Sequence, residues 1–167
     1  MSHSKEQRAV YESLYHNHYP MVLQLCLGYM KGDKDLAKDL CQEVFINIWN
    51  ALSSFKGEAL HKTWIYRITV NTCLLYLRDN KKKQTASLNE VPYGEEHVTS
   101  DNDQNKYDNL YRVIGELPQV ERLIMMLLLE ELDYSEIAQI TGLSAIHLRV
   151  KIHRIKKKMK GLLTKEH

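Results

Sequence analysis

Apolar residues recur every three to four positions along nearly all of this chain, the period of a helix that buries one face. The strict alternation that a strand needs is weak everywhere, so the pattern predicts an all-α fold. The period lapses once. From Gln84 to Asp103 there is no apolar stripe, and the stretch holds Pro92, Gly94, several Ser, Thr and Asn residues and most of an acidic cluster. Such a segment reads as a flexible linker. It divides the 167 residues into two small helical domains, residues 1–83 and 107–167, with 84–106 between them.

In the first domain a helix over residues 4–30 is expected to break or kink near Tyr19, because Pro20 lacks an amide donor and its ring crowds the preceding turn. Gly32-Asp33 ends that unit, and Asp33 is placed to cap the next helix. The second helix runs to about Leu52, with Leu36, Leu40, Val44, Ile48 and Leu52 along one stripe. After a loop around Gly57, a third helix over residues 61–83 offers Trp64, Ile65, Ile68, Thr72, Leu75 and Leu77 to the interior. Three helices with short connections make a small bundle. In the second domain a short helix over residues 104–116 precedes Pro118, which a first helical position tolerates. A helix through Leu123, Ile124, Leu127 and Leu128 follows. Asp133-Tyr134-Ser135-Glu136 then forms a capping box for a short helix ending at Thr141-Gly142, and Ser144 caps a last helix reaching about Leu163.

Composition narrows the function classes. Apolar residues make up 44% and charged residues 26%, a globular balance. No window approaches a membrane-spanning apolar run, so no direct membrane insertion is expected. The polar stretch from Met1 to Arg8 lacks the apolar segment of a signal peptide, so the expected location is cytoplasmic. Cys26, Cys41 and Cys73 are odd in number and form no CxxC pair, which argues against a disulfide framework and a zinc knuckle. His16-x-His18 has no third ligand in view. Asp39 and Glu43 lie one helical turn apart but have no His or Lys base spaced with them, which suits a solvated or protein-docking face better than a catalytic pair. Neither a metal, a cofactor nor a catalytic residue is expected, and the chain does not read as an enzyme.

The formal net charge is only +2, but its distribution is uneven. Residues 147–160 carry seven cations and no acid, and residues 61–83 carry six cations against Asp79 alone. The intervening residues 90–108 carry six acids and one base. Two basic segments on helices point to nucleic acid. The second lies within a helix-turn-helix pattern from Tyr134 to Arg154: Ala138 is small where two helices cross, Gly142 suits a left-handed turn, and Leu143 follows as an apolar plug. Leu148, Ile152, Ile155 and Met159 form the buried stripe of its second helix. The opposite face presents His147, Arg149, Val150, Lys151, His153 and Arg154. The first turns of such a helix reach base edges in the major groove, and flanking cations such as Lys157 fix register on phosphates.

Asp39-Leu-Cys-Gln-Glu-Val-Phe-Ile-Asn-Ile-Trp49 resembles the core-binding helix in region 2 of bacterial sigma factors. Phe55-Lys-Gly, Thr63-Trp-Ile-Tyr-Arg-Ile and Asn71 resemble the promoter-melting segment of the same region. Leu117-Pro-Gln-Val-Glu-Arg and the helix-turn-helix resemble region 4. The chain thus resembles an extracytoplasmic-function (group 4) sigma factor of the sigma-70 family, which keeps only regions 2 and 4, here as a three-helix bundle and a helix-turn-helix. The resemblance implies a factor that binds RNA polymerase core and directs promoter-specific initiation. Asp39, Gln42, Glu43, Asn47 and Trp49 would dock on polymerase. Phe55, Lys56, Lys62, Trp64, Arg67 and Asn71 would lie along the melted minus-ten strand, with a flipped base held near Phe55 and Asn71. His147, Arg149, Val150, Lys151, His153, Arg154 and Lys157 would engage the minus-thirty-five duplex. The acidic linker would follow the path of nascent RNA. An anti-sigma factor, often membrane-anchored in this family, would be the regulatory partner.

The recognition helix departs from the family's pattern. Ile146 and His147 stand where Gly and Thr are usual, and Val150 where Ser is frequent. Leu60-His61 stand where small or aromatic residues are more usual. Bulk and apolar surface thus replace small polar contacts, and Val150 can pack on a thymine methyl. The alternative reading is a helix-turn-helix regulator that binds duplex DNA without joining polymerase. It needs neither a single-strand pocket nor a docking helix, so the Phe55 to Asn71 motif speaks against it. A helical nucleic-acid enzyme would need a metal cluster or a nucleophile-base pair, and neither is apparent.

Overall fold

In the computed structural model, which describes residues 2–57, 61–86 and 102–165, the periodic segments become helices, and no strand occurs among the described residues. The all-α expectation holds. α1 (Ser2–Tyr29) runs through Pro20 without interruption, against the break expected there. Two features allow this. The His16 carbonyl, which loses the amide of residue 20, lies on an exposed stretch where water can take its place. Beyond the proline, Val22, Leu25, Cys26 and Tyr29 are fully buried, and that burial outweighs one lost hydrogen bond.

Lys31 and Gly32 both adopt positive φ and turn the chain. Asp33 then caps α2 (Lys34–Ala51), its carboxylate accepting from the amides of Asp35 and Leu36 at 3.1 Å. Leu40, Val44 and Ile48 of the expected stripe are buried, while Leu36 and Leu52 close its two ends half-buried. A single 3₁₀ turn, Leu52–Ser54, leads into the Phe55–Gly57 segment. α3 (His61–Ala86) runs three residues into the stretch read as linker. Its interior face is not the one expected in full. Ile65, Tyr66, Thr69, Val70, Thr72 and Cys73 are buried, Trp64 and Ile68 are half-buried, and Leu75 is 51% exposed. Leu75 lies on the edge of a stripe whose axis passes through residues 65, 69 and 73, which the apolar pattern alone does not distinguish. The buried threonines are satisfied within the helix, Thr69 donating to the Ile65 carbonyl and Thr72 to that of Ile68, both at 2.7 Å. The side chain of Leu77 and residues 87–101, which include most of the expected linker, lie outside the described residues.

The second half follows its local signals closely. α4 (Asn102–Gly115) leads to Pro118, which takes the cap position rather than the first helical one. α5 (Gln119–Leu129) buries Leu123, Ile124, Met126 and Leu127. The capping box of Asp133 and Glu136 is complete at the start of α6 (Tyr134–Thr141). Gly142 sits at φ +75°, a left-handed conformation that a β-carbon would strain. Ser144 caps α7 (Ala145–Thr164) by accepting from the His147 amide. Leu148, Ile152, Ile155 and Met159 form its buried stripe as expected.

The two halves pack directly on one another. α1 meets α4 and α5, and α3 meets α5 and α6. Gly28 of α1 lies so close to α5 that a β-carbon there would fall on the Met126 thioether. Arg122 donates to the Tyr29 carbonyl at 3.2 Å, and Tyr66 donates through its hydroxyl to Glu130 at 3.3 Å. Arg67 donates to the Gln139 carbonyl at 3.1 Å. One buried cluster therefore runs through both halves. Cys26, Cys41 and Cys73 are free thiols within it. Among the described residues no helix is long and apolar enough to cross a membrane, and no group of potential ligands is arranged to hold a metal ion.

Candidate nucleic-acid and protein-docking sites

The first surface lies on α7. With Leu148, Ile152, Ile155 and Met159 turned inward, helical geometry turns residues 146, 149, 150, 153, 154 and 157 outward together. Arg149, Val150, His153, Arg154 and Lys157 are exposed there, and Lys151 is half-buried at the edge. His147 is exposed, and its ring is positioned by the cap, with Nδ1 2.8 Å from Ser144 Oγ. Lys158 points elsewhere and pairs with Glu121 of α5 at 3.0 Å. The stripe joins cations to one apolar side chain, a mixture suited to phosphates and base edges together.

The second surface forms around the turn after α2. Phe55 is half-buried between His61 and Trp64, with ring centroids 4.7 Å away in each case. Lys56 and Lys62, next in the chain to these rings, are exposed, as is Asn71, about two turns beyond Trp64 on α3. Lys62 extends over the buried Tyr66 ring, 6.0 Å from its centroid. His18, on α1, is held below the usual histidine range by burial first and then by the charges of Lys62 and His61. It is therefore a neutral imidazole near neutral pH, adding no charge to this region. Arg67 differs from the rest, being half-buried and committed to the Gln139 carbonyl of α6.

The third surface is the outer face of α2. Asp39, Gln42 and Glu43 are exposed together. Trp49 is 39% exposed and rests edge-on against Tyr11, with centroids 5.1 Å apart. Asn47 is half-buried and turned inward, its amide donating to Thr72 Oγ1 of α3 at 3.0 Å. It braces α2 against α3, and its amide is not spread on the outer face with the other four.

Two features of this face escape the sequence reading. Ile46 is 58% exposed in line with Asp39, Gln42 and Glu43, an apolar side chain set among polar ones. Tyr11, Tyr15 and Tyr19 form a ladder along α1 that stacks on Phe45 and Trp49 of α2. The four-residue spacing of those tyrosines is the signal that finds it.

Two family models match the chain. A model described as sigma-70 region 2 matches residues 14–83, and one described as sigma-70, region 4 matches residues 107–159. The chain is 29% identical over 161 residues to the RNA polymerase sigma factor YlaC of Bacillus subtilis, covering 92% of each. It is 33% identical over 134 residues to the ECF RNA polymerase sigma-E factor of Escherichia coli, covering 70% of this chain and 68% of that one. Among solved structures, the fold resembles the sigma factor RpoE in complex with the anti-sigma factor NepR from Bartonella quintana. That match has a TM-score of 0.75 and 17% identity, and covers 92% of this chain and 96% of that one. CnrH in complex with the cytosolic domain of CnrY matches with a TM-score of 0.70 and 19% identity over 96% of this chain and 91% of that one.

Proposed function

This chain belongs to the extracytoplasmic-function group of the sigma-70 family of RNA polymerase sigma factors, and we propose from that premise which of its surfaces performs each step of initiation. The outer face of α2, with Asp39, Gln42, Glu43, Ile46 and Trp49, joins core polymerase. The outer stripe of α7 reads the minus-thirty-five duplex. The Phe55 group receives a base of the melted minus-ten element, with Lys56 and Lys62 on the backbone and Asn71 on a base edge. The chain supplies binding energy rather than bond chemistry, and its partners are core polymerase, promoter DNA and an anti-sigma factor.

The observation that carries this reading is the half-buried Phe55, flanked by the His61 and Trp64 rings, with exposed Lys56 and Lys62 adjacent to them in the chain. An unstacked base costs a few kcal/mol to expose and needs a surface to stack on. A regulator that binds only duplex DNA has no use for one. Arg67 can join the melted strand only after its side chain leaves the Gln139 carbonyl.

Transcription reconstituted from this chain, core polymerase and genomic fragments tests the reading, with permanganate footprinting of unpaired thymines as the direct measure of melting. Phe55→Ala is expected to reduce open complexes about tenfold or more, from the stacking of one base on an aromatic ring, with closed complexes largely kept. A pre-melted bubble template then restores most of the signal. Asn71→Ala, at an exposed position, is expected to keep core affinity and lose discrimination at one minus-ten base. If Asn71→Ala opens every minus-ten variant as the parent does, the pocket assignment fails.

Salt separates the two kinds of contact on α7. Each phosphate neutralised adds a slope of about −0.9 to log affinity against log salt. Lys157→Ala should reduce that slope by about 1 and leave base preference alone, while Arg149→Ala should relax preference at one or two positions. Titrations of promoter duplex between about 50 and 200 mM salt read both effects. Two variants that weaken every sequence equally would show that α7 does not divide its work this way.

A further inference from the structure

Ile146 is 77% exposed, far beyond any other large apolar side chain among the described residues. It lies in the first turn of α7, two residues after the cap Ser144. Val150, one turn later on the same side, is 46% exposed. Neither belongs to the buried core, and the stripe they share continues through Arg149, His153, Arg154 and Lys157, all exposed. An apolar pair bordered by cations is matched by the major groove, where the only apolar feature that a base presents is the 5-methyl of thymine, between flanking phosphates.

On the reading of α7 as the minus-thirty-five helix, we propose that Ile146 is a specificity residue. It packs on a thymine methyl, and Val150 packs on a second one. The two α-carbons are separated by about 6 Å along the helix axis, at about 1.5 Å per residue. Base pairs rise about 3.4 Å each, so the two methyls belong to A·T pairs within about two steps of each other. A side chain with no polar atom gains nothing from guanine or cytosine at those positions. It also displaces the water that a polar residue would hold there. The element bound by this chain is therefore thymine-bearing where Ile146 and Val150 reach it.

The test uses the chain assembled with core polymerase and a promoter selected from a random pool. Deoxyuridine replaces thymine at one position at a time, which removes the methyl and keeps every hydrogen-bonding group. For the parent, affinity should fall about fourfold at one or two neighbouring positions, the value of one methyl-sized group. Ile146→Ala should abolish the penalty at one of them and Val150→Ala at the other. Both side chains are exposed, so each variant is expected to fold, and circular dichroism verifies it. A parent indifferent to deoxyuridine throughout, while still rejecting other base changes, overturns the proposal and leaves the minus-thirty-five assignment intact. A parent that selects no sequence through α7 overturns both. Ile146→Ala that keeps the full penalty overturns the role of Ile146.

Discussion

Glu43→Lys is expected to remove most of this chain's affinity for core polymerase while leaving its fold intact. Glu43 is exposed on α2 beside Asp39 and Gln42, and makes no ion pair among the described residues. A substitution at such a site changes stability by less than about 0.5 kcal/mol. The interface consequence is larger, because a cation placed where a partner presents complementary charge turns attraction into repulsion worth several kcal/mol. Each 1.4 kcal/mol is about a factor of ten, so competition binding against the parent should show a loss of about 100-fold or more. Ile46→Ala should weaken binding more modestly, through lost apolar contact, and would separate the packing of this face from its charge. Unimpaired core affinity in a folded Glu43→Lys chain would remove α2 from the docking surface.

The second large effect is expected from Gly28→Leu. Any side chain at position 28 enters the space of the Met126 thioether, and Met126 is fully buried. Backbone surrounds the site on the α1 side, so the strain falls on the contact between α1 and α5. Overpacking of this kind costs about 1–3 kcal/mol, which lowers Tm by about 2–12 °C for a chain of this size. The closed arrangement should loosen before either half unfolds. Small-angle scattering would then report a radius of gyration above the about 15 Å of a compact chain this long. Loosening also frees Arg67 from Gln139, so affinity for a single-stranded minus-ten oligonucleotide should rise. A variant with the parent's radius and the parent's oligonucleotide affinity would show that the contact does not hold the halves together.

How much of this was legible in the sequence follows from the range of each interaction. The caps at Asp33, Asp133 and Ser144, the turn at Gly142 and the stripe of α7 are set by chemistry within a few residues, and local pattern finds them. The fate of Pro20 is not local. Its helix persists because Val22, Leu25 and Tyr29 find partners on other helices, and no window around residue 20 contains those partners. Leu75 is apolar and correctly spaced, but it lies at the rim of a face whose centre is set by packing against α1 and α2. At the sites, the exposed acids of α2 and the cations of α7 are visible as charge on a helical face. Asn47 and Arg67 are not, since Thr72 and the Gln139 carbonyl that engage them lie 25 and 72 residues away. Polar side chains on a helix advertise their position in the sequence, but not the partner that claims them.

The joined core has a consequence for the lifetime of the chain. Each half is small, and a domain of about 60 residues buries only about 60% of the surface that its unfolded chain exposes. Here Tyr29, Met126 and their neighbours lend each half part of its interior. Separation of the halves would remove that loan and uncover apolar surface on both sides of the seam. The Tyr29 hydroxyl, buried without a hydrogen-bond partner among the described residues, would regain water in the exchange, which lowers the free-energy cost of opening. A chain whose halves had separated would therefore be more accessible to proteases than the closed one.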